Sequence, residues 1–150
     1  MRKIAKLIAT VCYVGYIPLA PGTVASALGV GLYFLVRADN LAHLLLTFLF
    51  LILGFWSSQA ALKEFPGKND PREIVIDEFS SMLIVYLFIP FSLKFVILGF
   101  LIFRALDIFK IPPIKKLESF PGGYGIMLDD IAAAIFANLI LQLLKFTPCM

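Results

Sequence analysis

The chain has 150 residues, 61% of them hydrophobic and 15% charged, with a mean hydropathy of +0.95. That is more apolar surface than a soluble domain of this length can bury, so composition predicts one compact integral-membrane domain over residues 1–150 with no separate soluble module. The formal net charge of +3 sits in small basic groups between apolar runs, which argues against a nucleic-acid partner and for anionic lipid.

In chain order, the N-terminal stretch "MRKIAKLIATVCYVGYIPLAPGT" has a basic head and an apolar body, but "PLAPGT" is a poor cleavage site, so the segment is expected to be retained. Lys3 and Lys6 beside Ile4, Leu7, Ile8 and Val11 fit an amphipathic helix lying in the membrane interface, and equally the first part of a broken span. Five apolar runs follow, at about Thr23–Val36, Leu41–Leu62, Ile74–Ile89, Leu93–Phe109 and Ile126–Leu144, and all read as helices. The expected fold is therefore an all-α, polytopic helix bundle. Leu41–Leu62 is long enough to cross a hydrocarbon core of about 30 Å, whereas Thr23–Val36 reaches only about 21 Å and reads as short, tilted or packed inside the bundle. Cys12 and Cys149 show no metal or redox spacing. His43, the single histidine, opens the second run and reads as an interface residue.

If all five runs cross, Arg2, Lys3, Lys6, Lys63, Lys68, Arg72, Lys110, Lys115 and Lys116 lie on one side, and only Arg37, Lys94 and Lys145 on the other. The excess of basic residues places the first side in the cytoplasm. Four polar segments then fall at cytoplasmic helix ends: "APGTVAS" (20–26), "IVIDEF" (74–79), "FRALD" (103–107) and "GGYGIMLDD" (122–130).

These segments carry the chemistry-bearing residues. An acidic residue at the centre of a membrane helix costs about 2.5 to 3.5 kcal/mol, and clustered carboxylates repel one another. Asp77, Glu78, Asp107, Asp129 and Asp130 therefore call for cations, and with no usable His or Cys set the hard-oxygen preference of Mg²⁺ fits best. The macrodipole would favour any one acidic pair in a first turn, but two such pairs on one side plus Asp107 point to function. Arg104 and Asp107 share a helix face, which suits either an intrahelical ion pair or a phosphate-binding Arg104 with Lys110 beside it. Thr23 reads as an N-cap and, with Ser26, as a hydroxyl donor to an anion at a helix start. Gly122, Gly123 and Gly125 form a turn that would let backbone approach a phosphate, although they match no known phosphate loop.

Taken together, "PGTVAS", "IVIDEF", "FRALDIFKIPPI" and "GGYGIMLDDIAAA" resemble, in order and spacing, the bacterial phosphatidylglycerophosphatase A family of Mg²⁺-dependent lipid phosphatases. The similarity runs from about Pro21 to Ala134. The resemblance implies hydrolysis of phosphatidylglycerophosphate to phosphatidylglycerol and phosphate in the bacterial inner membrane; the basic loops put that site at the cytoplasmic face, and the sequence is compatible with a monomer or an oligomer. It implies motif positions at Thr23, Asp77, Glu78, Arg104, Asp107, Lys110, Asp129 and Asp130. The expected roles are metal binding by Asp77, Glu78, Asp129 and Asp130, catalysis by these with Asp107, and substrate binding by Thr23, Ser26, Arg104, Lys110 and Gly123. A small ion or proton transporter, or a non-catalytic membrane subunit using the acidic cluster as a cation site, is the alternative.

Overall fold

The computed structural model describes residues 2–67, 70–112, 114–117 and 119–146; Lys68 and Cys149 lie outside them. Every regular element among the described residues is helical: α1 (Arg2–Ala9), α2 (Pro21–Val36), α3 (Asn40–Ala61), α4 (Ile76–Val85), α5 (Leu93–Phe109), α6 (Ile114–Leu117) and α7 (Gly123–Leu144). The all-α expectation holds. Two stretches, Asn40–Glu64 and Gly123–Leu144, are long and apolar enough to cross a membrane. Much of the exterior is apolar, with Leu35, Ile52, Leu101, Ile108 and Leu143 all more than half exposed.

The centre of the bundle is α4, which packs against α2, α7, α3 and α5. It buries Ile76, Met82, Leu83, Ile84 and Val85 on every side, the mark of an inner helix. At ten residues, or about 15 Å, it is far shorter than the Ile74–Ile89 run in the sequence. The chain leaves the helix through Tyr86 and Leu87 and a left-handed Phe88 (φ 58°) before Pro90. A helix end inside a bundle leaves carbonyls without partners. Here Asn138 of α7 supplies them, its Nδ2 donating to the carbonyls of Val85 (2.9 Å) and Leu87 (3.0 Å) and lying 3.2 Å from that of Ile84, which also accepts from the Leu87 N–H (3.1 Å).

His43 is not at an interface but buried, its Nε2 donating to the Leu83 carbonyl at 2.9 Å and its ring beside Tyr33, so it ties α3 to α4. The start of α3 is capped by Asp39, whose Oδ1 accepts from the backbone N–H of Leu41 (2.9 Å) and Ala42 (3.1 Å). The amphipathic α1 packs on α3 through Ala5 and Ala9. Beyond it, Gly15 meets the backbone of Glu73 so closely that a Cβ there would overlap the Glu73 carbonyl oxygen. With Val75 N–H donating to the Ala9 carbonyl (2.9 Å), this contact fixes the segment leading into α4.

Candidate active site

The start of α7 changes how its aspartates are understood. The helix begins at Gly123 rather than Ile126, so Asp129 and Asp130 lie in its second and third turns, beyond the reach of the first-turn dipole. Asp77 and Glu78 do occupy the first turn of α4. Both pairs point into one cavity of about 280 Å³, framed by the start of α2, the segment before α4, the start of α4, the end of α5 and α7. Among the described residues, six carboxylates line it (Asp70, Asp77, Glu78, Asp107, Asp129 and Asp130) against three cations, Arg72, Arg104 and Lys110.

Two cations, Arg104 and Lys110, organise the ion pairs of the cavity. Arg104 Nη1 lies 2.7 Å from Asp107 Oδ2, one helical turn on, and 3.9 Å from Glu78 Oε1 on α4. It also donates to Ser26 Oγ at 3.4 Å, whose own hydroxyl donates to the Gly22 carbonyl at 2.9 Å. Lys110 ends α5 in a left-handed conformation (φ 42°) and its Nζ lies 2.7 Å from Asp129 Oδ2. Asp129 therefore faces a lysine rather than the other acids.

Glu78 also belongs, with Asp77 and Asp130, to an inner cluster. Asp77, Glu78 and Asp130 each present an oxygen within 4.8 Å of the other two. Asp77 and Asp130 are only 7% and 3% exposed. Asp77 Oδ1, Glu78 Oε2 and Asp130 Oδ2 are buried with no hydrogen-bond partner among the described residues, as is Arg104 Nε. A buried, unpartnered carboxylate oxygen is costly. A cluster of three carboxylates that each carry one suits a divalent cation, and its all-oxygen chemistry suits Mg²⁺.

The other expected site residues are placed differently. Thr23 is the third residue of α2, after Ala20 as N-cap and Pro21 as first residue, and it does not line the cavity. Gly123 donates its N–H to Gln59 Oε1 of α3 (2.6 Å), and a Cβ there would come within 2.5 Å of the Gln59 backbone N. It serves the contact between α7 and α3. Gly122 and Gly125 border an adjoining hollow of about 430 Å³ that shares Asp70 with the carboxylate cavity. Three further residues belong to the site: Asp70, Arg72, which the sequence singles out only as a basic loop charge, and Gly22, where a Cβ would overlap Glu78 Oε1. The position of "NDPRE" just before "IVIDEF" was the available signal.

The fold and the cavity define a helical protein with a buried acidic cluster flanked by arginine and lysine, an arrangement suited to metal-assisted phosphate chemistry. The chain belongs to the phosphatidylglycerophosphatase A family, whose sequence profile matches residues 7–145. It is 35% identical to a phosphatidylglycerophosphatase A of Haemophilus influenzae, over 88% of this chain and 83% of that protein. It is 33% identical to a phosphatidylglycerophosphatase A of Escherichia coli, over 85% and 75%. It is also 33% identical to a Bacteroides thetaiotaomicron protein described as a candidate phosphatidylinositol-3-phosphatase, over 88% and 87%. No solved structure matches the chain.

Proposed function

We propose that this protein is a Mg²⁺-dependent lipid phosphomonoesterase that converts phosphatidylglycerophosphate to phosphatidylglycerol and phosphate. The observation that carries the reading is the trio of buried, unpartnered oxygens on Asp77, Glu78 and Asp130 beside Arg104 and Lys110. Family membership supplies the substrate class.

In this reading Asp77, Glu78 and Asp130 hold Mg²⁺, and Asp129, expected as a further ligand, positions Lys110. When bound, the ion neutralises phosphate charge and lowers the pKa of a water. Arg104, anchored by Asp107 and Ser26, keeps its Nε for a phosphoryl oxygen and stabilises the charge that builds during transfer. Lys110, at the end of the same helix, contributes a second positive charge. One of the cavity carboxylates takes the proton of the attacking water.

The apolar exterior and the two long helices support a membrane setting, and the basic excess of the loops supports a polytopic bundle in the bacterial inner membrane with the cavity at the cytoplasmic face. The cavity draws on segments from Ala20 to Asp130, which supports a single domain. A transporter would distribute acids along a path through the bundle, whereas these share one cavity.

The test is phosphate release by detergent-solubilised protein from phosphatidylglycerophosphate, phosphatidylinositol 3-phosphate and phosphatidic acid, with Mg²⁺ or EDTA. Fastest Mg²⁺-dependent release from phosphatidylglycerophosphate is the expected result. Preference for phosphatidylinositol 3-phosphate would reassign the substrate, and no release from any of the three would overturn the reading.

A further inference from the structure

The three cations of the cavity are not equivalent. Arg104 is paired with Asp107 and Glu78, and Lys110 with Asp129, so much of their charge is already balanced by protein carboxylates. Arg72 also lines the cavity, is exposed, and makes no hydrogen bond or ion pair to another described residue.

Its backbone is nevertheless held in place. Pro71, just before it, is fully buried, and the Ile74 N–H donates to the Pro71 carbonyl at 2.9 Å. Just after it, Glu73 packs against Gly15, and Val75 is bonded to the end of α1. A surface arginine on a loose loop would lose much of any binding gain to ordering entropy, whereas this one extends from an anchored turn at the cavity mouth.

Resting on the function proposed above, the substrate carries two phosphates: a terminal monoester and, three carbons away, the diester joined to diacylglycerol. Only the monoester is cleaved. We infer that Arg72 is a substrate-binding residue that grips the diester phosphate while the monoester enters the carboxylate cavity, and that it thereby selects lipids with a second phosphate. Guanidinium suits the task, since it stays charged and binds phosphate oxygens through two parallel N–H groups. The charge of Arg72, unpaired among the described residues, is matched to an anion outside the inner cluster, and buried Pro71 and the Gly15–Glu73 contact anchor the turn that bears it.

The test uses soluble head-group probes, so that it does not depend on turnover. Affinities of the non-hydrolysable methylene phosphonate analogues of glycerol 1,3-bisphosphate and glycerol 3-phosphate are measured by titration calorimetry on the full-length protein in detergent with Mg²⁺, for wild type, Arg72→Ala and Arg72→Lys. Wild type is expected to bind the bisphosphate roughly tenfold more tightly than the monophosphate, the value of one charge-assisted contact. Arg72→Ala brings that ratio close to one, and Arg72→Lys leaves it in between. Three results would each overturn the assignment: no preference in wild type, an unchanged ratio in Arg72→Ala, or equal weakening of both probes. An intact ratio without phosphate release from phosphatidylglycerophosphate would instead count against the proposed reaction, leaving two-phosphate recognition standing.

Discussion

At Gly22 the missing Cβ is what lets the Glu78 carboxylate reach the first turn of α2, so Gly22→Ala must push either the carboxylate or the helix aside. Misplacing a reacting group by about 1 Å can cost roughly a hundredfold. Gly22→Ala is therefore expected to lower phosphate release by about ten- to a hundredfold at unchanged helical content. Gly31→Ala in the same helix meets open space and should keep activity while gaining a few tenths of a kcal/mol or more in stability. Equal effects of the two substitutions on activity would remove Gly22 from the site. The glycine was visible in "PGTVAS", but only as a helix start, because nothing local in a sequence shows which distant carboxylate will press against it. Arg72 escaped for a related reason: it reads as one more basic residue in a loop until the fold turns that loop onto the cavity.

At the scale of elements, the short α4 depends on a partner two helices away. Asn138 reaches the carbonyls of Val85 and Leu87 at the C-terminal end of α4 and shares that of Ile84 with the Leu87 N–H, and among the described donors only Gln142 also reaches Leu87. Asn138→Ala should lower the unfolding free energy by about 1 to 3 kcal/mol, read as a lower thermal midpoint in detergent. Asn138→Asp, which sets an acceptor against acceptors, should lower it further. A midpoint unchanged in both variants would show that α4 is terminated by something else. The helices themselves were legible from apolar runs and breakers, and Arg104 with Asp107 was legible from i,i+3 spacing. The ends of α4 and α7 were not. Hydrophobicity continues past Val85 although the backbone does not, and α7 starts three residues early on glycines that the close contact with Gln59 requires.

Across the whole molecule, segments from Ala20 to Asp130 come together so that like charges face each other among helix ends of an apolar bundle. Such a cluster weakens the empty protein and strengthens the ion-bound one. Mg²⁺ should therefore raise the thermal midpoint of the wild type by several degrees. Asp77→Asn, with one buried charge removed, should melt higher than wild type in EDTA and lose most of the rise with Mg²⁺. A Mg²⁺ response undiminished in Asp77→Asn would separate the cluster from the metal. The convergence of the four motifs was legible from their order and the basic loops. The division of labour among the aspartates was not, since Asp129 turns to Lys110 and Asp130 to the cluster although they are neighbours in the chain.

The central claim is that the ion held by Asp77, Glu78 and Asp130 is what makes the cavity a phosphatase. It is tested most directly by phosphate release from phosphatidylglycerophosphate as Mg²⁺ is titrated into EDTA-treated wild type and Asp130→Asn. The account predicts no release without Mg²⁺, saturable recovery in wild type, and at least about a hundredfold less in a well-folded Asp130→Asn. Full release in EDTA, or an Asp130→Asn variant as active as wild type, would contradict it.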